Sequence, residues 1–86
     1  MSEYIIAVFT IRTSTMQFSM MLNRNGIANS VIETPKSISA SCGVSVKIST
    51  KNFQRAKEIF FQNRVKNFSR FYYVKIYRGI TTVTPI

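Results

Sequence analysis

Four short apolar segments and two segments with helical spacing alternate along the chain, and this order constrains the fold more than any other feature. The apolar segments are rich in β-branched and aromatic residues, as strands are, and cover residues 4–9, 27–33, 43–48 and 68–78. Two intervening segments place apolar residues three and four apart, as helices do. The first runs from about Ser14 to Asn25. The second ends near Asn63 and begins at one of the possible N-cap residues at 49–52. The order β-α-β-β-α-β predicts an α+β fold of the ferredoxin-like kind, a four-stranded antiparallel sheet with two helices on one face.

The same patterns predict which side chains face inward. Alternation in the third strand predicts Val44, Val46 and Ile48 inside, with Ser45 and Lys47 facing water. The fourth strand should place Phe71, Tyr73, Lys75 and Tyr77 on one face and Tyr72, Val74 and Ile76 on the other. The sheet face without helices should expose its aromatic residues, and an exposed patch of that kind usually indicates a partner.

Local signals mark where the first helix begins and ends. Thr13 or Ser14 is expected to cap its N-terminus, because a hydroxyl oxygen can accept the free amide hydrogens there. Gly26 is expected to end it, because glycine adopts the left-handed conformation at low cost. The last residues, 79–86, fit either a short edge strand or a flexible tail.

The chain length predicts one domain over residues 1–86, because 86 residues provide room for one modest core. Stability should be marginal for this size, and burying a face against a second copy would add to it. A homodimer is therefore one expectation for the assembly.

Charge and composition exclude several classes of function. Twelve basic residues against three acidic ones give a net charge of +9, which attracts anionic partners. The chain has no His and no Asp, so most routes to acid–base catalysis and to metal binding are absent. We therefore expect a carrier or binding protein with no metal site and no tightly bound cofactor, and not an enzyme.

The single cysteine also indicates a compartment. One Cys forbids an internal disulfide, and no apolar run approaches the ~20 residues needed to cross a bilayer. The first residues lack the basic start of a signal peptide. These features predict a cytoplasmic protein that does not enter a membrane.

Cys42 is the only strong nucleophile in the chain, and it ends a loop rich in Pro, Ser and Gly between two strands. The reactive form of a cysteine is the thiolate, which nearby positive charge and free backbone amides favour. No His is present to serve as the base of a Cys–His hydrolase, so the remaining chemistry is to accept and pass on a group. Residues expected to support the loop or contact an anion are Thr34, Pro35, Lys36, Ser39, Ser41 and Gly43. The alternative is a structural cysteine buried as a small core residue.

The basic and aromatic C-terminal third supports an alternative function. Cations that follow phosphates and rings that stack on bases are the parts of a single-strand binder. The residues that would serve are Arg70, Tyr73, Lys75, Tyr77 and Arg78. The chain lacks the RNP1 pattern of RNA-recognition modules, and strand aromatics also pack against a core or a second subunit. Nucleic-acid binding and self-association through the fourth strand both stay open.

The segment 34–44 resembles a small bacterial family of selenium/sulfur carrier-like proteins, a domain of unknown function. The resemblance is carried by Thr34, Pro35, Ile38, Ser39, Cys42 and Gly43, followed by an apolar strand. It implies that Cys42 is the functional residue and takes up sulfur or selenium as a persulfide-type adduct. It also implies partner proteins that donate and accept the atom.

Overall fold

The computed structural model describes residues 2–38 and 42–86, which form two α-helices and five β-strands. The strands are β1 (Ser2–Phe9), β2 (Asn29–Glu33), β3 (Val44–Ile48), β4 (Phe68–Tyr77) and β5 (Ile80–Pro85). The helices are α1 (Arg12–Arg24) and α2 (Phe53–Asn63), and a short 3₁₀ turn, Thr50–Asn52, leads into α2.

All five strands join one antiparallel sheet in the order β2-β3-β1-β4-β5. β3 lies between β1 and β2, so the helical connection α1 crosses over a strand that enters the sheet later in the chain. The predicted α+β class with two helices and an antiparallel sheet is confirmed. The sheet differs in detail from the predicted four-stranded arrangement, because β5 is added beyond β4.

Residues 80–85, left open by the sequence, form β5 and pair along the outer side of β4, from Tyr77 opposite Ile80 to Tyr72 opposite Pro85. The turn between these strands places Arg78 and Gly79 at positive φ, 51° and 78°. Such a two-residue turn matches the twist of a hairpin, and glycine adopts positive φ without strain. The edges of the sheet are therefore β2 and β5, and β4 is an interior strand.

The larger core lies between the sheet and both helices. Every second residue of β1 faces it, namely Ile5, Ala7 and Phe9, as expected for strand periodicity. The helices contribute apolar residues at spacings of three and four: Phe18, Leu22, Ala56, Ile59 and Phe60. Burial of this face against both helices is the main stabilising contribution, at roughly 25 cal/mol for each Å² of apolar surface removed from water.

The opposite sheet face has a smaller core of its own. Ile6, Val8 and Val74 are buried there, and Ile38, from the loop after β2, packs against them. The expected exposed aromatic patch is therefore wrong for the centre of this face. Tyr4 and Tyr72 are half-buried against the same cluster.

Ser45 is fully buried although it was expected to face water. The predicted alternation of β3 holds, because Ser45 lies opposite Val8 on the face away from Val46 and Ile48, but the smaller core covers that face. The Ser45 hydroxyl also has a polar partner there, since it lies 2.6 Å from the Thr34 hydroxyl. A buried hydroxyl with a hydrogen-bond partner costs little, so a polar residue can occupy an inward position.

A β-bulge shapes the start of β4. Val8 is opposite Arg70 and Phe9 is opposite Phe68, so Ser69 is an additional residue on β4. If Ser69 instead took its place in the regular pairing, Phe68 would lie on the face away from the helices. The bulge brings Phe68 to the helix side, where its ring centroid is 4.4 Å from that of Phe60.

The helix N-termini differ from the sequence predictions. α1 begins at Arg12 with Ile11 as its extended N-cap residue, and no side chain caps it. Ser14 lies inside the first turn, where its hydroxyl accepts a hydrogen bond of 3.1 Å from Asn67 Nδ2. The predicted cap at Thr13 or Ser14 is therefore wrong, and α2 also lacks a side-chain cap hydrogen bond. Gly26, with φ of 72°, follows the end of α1 as predicted.

Candidate functional site

Cys42 lies two residues before β3 and is buried, with 6% of its surface exposed. Its Sγ lies 3.7 Å from Thr15 Oγ1, in the second turn of α1, and 3.6 Å from the Val44 carbonyl oxygen. The sulfur therefore contacts one side-chain hydroxyl and one backbone acceptor.

Despite its burial, Cys42 lines an open cavity of about 610 Å³. The cavity lies where the end of β1 and the start of α1 face the loop between β2 and β3. Its lining residues are Thr10, Ile11, Arg12, Glu33, Thr34, Lys36, Cys42, Gly43 and Val44. The sulfur-bearing residue thus borders a space large enough for a small reactant or a segment of a partner.

The predicted loop residues are partly assembled here. Thr34, Lys36 and Gly43 line the cavity together with Cys42. Pro35 begins a turn that its carbonyl closes by accepting a 3.0 Å hydrogen bond from the Ile38 amide. Ser39 and Ser41, predicted as anion contacts, lie outside the described residues.

Thr34 holds the loop and the cysteine together. Its amide donates a 2.9 Å hydrogen bond to the Gly43 carbonyl, and its hydroxyl donates one of 3.4 Å to the Cys42 carbonyl. Since Thr has one hydroxyl hydrogen, the 2.6 Å contact with Ser45 is donated by Ser45. These bonds connect the end of β2 to the start of β3 and fix the backbone on both sides of the sulfur.

The surroundings of Gly43 would leave space for a side chain. A Cβ built at this position meets no other heavy atom within 4 Å, so the space beside the sulfur is open. The role of Gly43 in letting a group approach the sulfur stays a prediction. The open space also means that a small side chain here would enter the cavity and would not strain the fold.

The charge around the cavity is mainly positive. Arg12 and Lys36 line it, and Glu33 is the acidic residue that balances one of them. The N-terminus of α1 borders the same space, and its first turn carries no acidic residue. Free amides at a helix N-terminus carry a partial positive charge, so an anion in this cavity would be favoured.

Sequence reasoning missed Thr15 and Arg12 as members of this site. Thr15 is 27 positions from Cys42 in the chain, and only the packing of α1 beside the loop brings them together. The sequence did offer a signal for Arg12, because a basic residue follows the first strand in a turn rich in Thr and Ser. Arg12 comes to line the same cavity as Cys42 because α1 starts at that residue.

The alternative site on β4 is not gathered in one place. Tyr73 packs against the helix-side core, and its hydroxyl donates a hydrogen bond to Glu3, which raises the pKa of Tyr73 above 10.0. Lys75 lies opposite Glu3 in the register, and Tyr77 is exposed farther along the strand. Arg70 is opposite Val8, so it belongs to the other sheet face, and Arg78 lies in the turn after β4.

Two kinds of site are not found in the part of the chain that the structure describes. No group of three or more His, Cys, Asp or Glu side chains is placed to hold a metal ion. None of the described helices has the length and hydropathy to cross a membrane.

Comparison with known proteins gives one match. A family model described as "Putative Se/S carrier protein-like" matches residues 3–73, from β1 to the middle of β4. The matched region includes Cys42 and every described residue that lines its cavity, and β5 lies beyond it. No curated protein and no solved structure matches the chain.

Proposed function

Because the chain belongs to the Se/S carrier protein-like family, we propose that Cys42 accepts one atom of sulfur or selenium and passes it to an acceptor protein. The observation that carries this proposal is the position of Cys42 at an open cavity with Arg12 and Lys36 beside it. The outer atom of a persulfide-type adduct is anionic, and cations together with free helix amides suit such a group.

The chemistry needs no oxidant when the donor supplies a zero-valent atom. The Cys42 thiolate attacks the outer sulfur of a donor persulfide, a new S–S bond forms to Sγ, and the donor's S–S bond breaks. The donor leaves as a thiolate, which takes up a proton equivalent to the one that the Cys42 thiol lost on becoming a thiolate. In the second step the acceptor thiolate attacks the same outer sulfur, and Cys42 is released. A donor with selenium as the outer atom reacts in the same way.

The loop residues have distinct proposed roles. Thr34 fixes the backbone around Cys42 through its three hydrogen bonds, and Pro35 stiffens the turn that follows β2. Lys36 contacts the anionic adduct from the cavity wall, and Ser39 and Ser41 would add hydroxyl or amide donors. Gly43 leaves space for the donor and the acceptor to approach.

The exchange also places conditions on the surroundings. The thiol must stay reduced between loadings, which fits the reducing cytoplasm. The chain has no second cysteine, so the donor and the acceptor must both be separate molecules that reach the cavity. A basic surface of net charge +9 favours partners with acidic docking faces.

The test is mass spectrometry of the intact protein after incubation with glutathione persulfide. We expect the wild-type chain to gain the mass of one sulfur atom, and Cys42→Ala to gain none. Treatment with a small thiol should remove the added atom. A wild-type chain that gains no mass under conditions that load a free cysteine peptide would contradict the proposal.

A second measurement examines the cavity charges. Arg12→Gln and Lys36→Gln should each slow loading several-fold, because each removes a cation from the wall of the cavity. Arg24→Gln is the matched control, because Arg24 lies in the last turn of the same helix α1. Equal loss of rate in all three variants would indicate a general charge effect and would remove the assigned role of Arg12 and Lys36.

A further inference from the structure

We propose that a second cavity, formed by α2 and the start of β4, binds a small organic carboxylate with an apolar body. This site is separate from the sulfur chemistry, since its lining and that of the Cys42 cavity have no residue in common. The site is defined by its aromatic wall, the cation Lys57 and its volume.

The wall is aromatic to an unusual degree for a chain of 86 residues. Five of the seven phenylalanines line the cavity, together with Ile86: Phe53, Phe60, Phe61, Phe68 and Phe71. The rings are fixed by contacts with each other; the centroids of Phe53 and Phe71 are 5.1 Å apart, and those of Phe60 and Phe71 are 5.5 Å apart. A preformed wall of this kind offers apolar contact without ordering new side chains.

Phe61 is the exception in this wall, because 63% of its surface is exposed. It is the residue after Phe60, whose ring it meets at a centroid distance of 5.3 Å. A large ring left in water beside an apolar cavity has apolar surface to bury when a ligand enters.

One cation supplies the polar end of the site. Lys57 lines the cavity, and none of the lining residues is acidic. Arg70 also borders the cavity, but its place opposite Val8 puts it on the other sheet face, so it is given no part in binding. Lys57 Nζ lies 5.8 Å from the centroid of the Phe53 ring, which places the ammonium at the aromatic wall. Among the described residues Lys57 has no carboxylate partner. A carboxylate on the ligand would supply that partner.

The volume limits the ligand to a small molecule. The cavity measures about 350 Å³, at the lower end of the range of about 300–1,000 Å³ for ligand pockets. A medium-chain alkyl carboxylate or an aromatic carboxylate has the required combination of an apolar body and one negative group. A polar polyanion would leave the phenylalanine wall without a contact, and an apolar cation would be repelled by Lys57.

The experiment uses the full chain and isothermal titration calorimetry with decanoate and 2-naphthoate, two carboxylates with different apolar bodies. We expect saturable binding of at least one of them, with one molecule bound per chain. Decyltrimethylammonium, which has the same alkyl length and the opposite charge, should bind at least tenfold more weakly than decanoate. Absence of saturable binding of both acids, or equal binding of the cation, would overturn the proposal.

Variants then locate the site. Lys57→Gln and Phe61→Ala should each weaken binding at least threefold, and Phe61 is exposed enough for its replacement to leave the fold intact. Lys51→Gln, in the exposed 3₁₀ turn before α2, is the charge-matched control and should leave binding unchanged. Cys42→Ala should also bind normally, which separates this site from the carrier function. Binding that is indifferent to Lys57→Gln and Phe61→Ala would contradict the assigned site.

Discussion

Thr15 and Cys42 form a hydrogen-bond arrangement that must change when the sulfur reacts. In the reduced form the Thr15 hydroxyl donates to the Ile11 carbonyl at 3.3 Å, and the Cys42 thiol donates to the Val44 carbonyl at 3.6 Å. Once the sulfur has lost its proton, it can only accept. Thr15 is the described hydroxyl close enough to donate to it, at 3.7 Å.

This geometry predicts the effect of Thr15→Val, which keeps the shape of the side chain and removes the hydroxyl. Loading by glutathione persulfide should slow about fivefold, since one hydrogen bond contributes roughly 1 kcal/mol. Thr15→Ser restores the hydroxyl and should recover most of the rate. Loading of the Val variant at the wild-type rate, measured by intact mass against time, would show that Thr15 has no part in the reaction.

Gly43 gives a second prediction at a single residue. Gly43→Ala should leave the urea unfolding midpoint almost unchanged, because a Cβ there meets no neighbour within 4 Å. The added methyl group enters the cavity, so alkylation of Cys42 by N-ethylmaleimide should slow. Iodoacetamide, which is smaller, should be affected less. Equal rates for the variant and the wild type with both reagents would mean that reactants approach Cys42 from another side.

At the scale of elements, the bulge in β4 determines how the aromatic core is built. Ser69 shifts the register by one residue, so that Phe68 and Phe71 both face α2. The rings of Phe9, Phe60 and Phe71 then surround Phe68 at centroid distances of 5.5, 4.4 and 4.8 Å. The bulge therefore allows two rings that are three positions apart in β4 to face the same core.

Phe68→Ala should destabilise the fold much more than deletion of Ser69. In the deletion variant Phe68 directly precedes Arg70, so regular alternation still places it opposite Phe9 on the helix side. Phe68→Ala removes the ring from the cluster, and the cost should be roughly 2 kcal/mol, below the 3–5 kcal/mol typical of a fully buried phenylalanine. Phe68 is half-buried, which is the reason for the smaller value. Urea unfolding of both variants measures this, with Ser69→Ala as the control that keeps the bulge. A deletion variant that loses as much stability as Phe68→Ala would refute the assigned register.

The pairing of β1 with β4 has a consequence at alkaline pH. The hydrogen bond from Tyr73 to Glu3 raises the pKa of Tyr73 above 10.0 in the folded chain. Well below that pH Tyr73 keeps its proton in the folded and in the unfolded chain, so the hydrogen bond to Glu3 stabilises the fold in full. Above it the unfolded chain loses the proton first, so stability falls as the pH rises towards the raised pKa.

Urea midpoints measured from about pH 9 to pH 11 should therefore fall more steeply for the wild type than for Tyr73→Phe. Tyr77→Phe, at the end of the same strand, is the control and should follow the wild type. Parallel curves for the wild type and Tyr73→Phe would exclude this linkage.

The elements were largely predictable because their patterns are local. Alternation in β1 and β4 and the apolar spacing in α1 and α2 need no distant partner to be interpreted. Ser45 lies on the predicted side of β3, but its burial was missed because it depends on the smaller core and on Thr34, which follows β2. The start of α1 was missed for a similar reason, since Ser14 pairs with Asn67 and does not cap the helix. The Cys42 loop was identified, but its neighbours Thr15 and Arg12 become visible only after α1 is packed beside it.

At the scale of the whole molecule, charge dominates the surface. A net charge of +9 on a chain whose radius of gyration is 12.1 Å gives a strong positive field. Polyanions will be attracted to such a surface, whether or not a dedicated site exists. β4 offers positive charge but no set of exposed rings on which bases could stack, because Tyr73 packs on the core and Arg70 lies on the other face.

Filter binding of a uridine 20-mer should therefore be weak and strongly dependent on salt. Affinity should fall about tenfold or more between about 50 and 200 mM salt, as expected for a few phosphate contacts. Tyr77→Ala should bind like the wild type at both salt concentrations, although 51% of the Tyr77 surface is exposed. Retained affinity at the higher salt that is lost in Tyr77→Ala would favour a dedicated nucleic-acid function.

The presence of one thiol in the chain has a consequence for how long a loaded molecule persists. A carrier with two cysteines can discharge by closing a disulfide within itself, but this chain has no such exit. If Cys42 carries the proposed adduct, the loaded form persists until another thiol attacks it, so the acceptor and small thiols together set its lifetime. Where both are depleted, loaded molecules would accumulate.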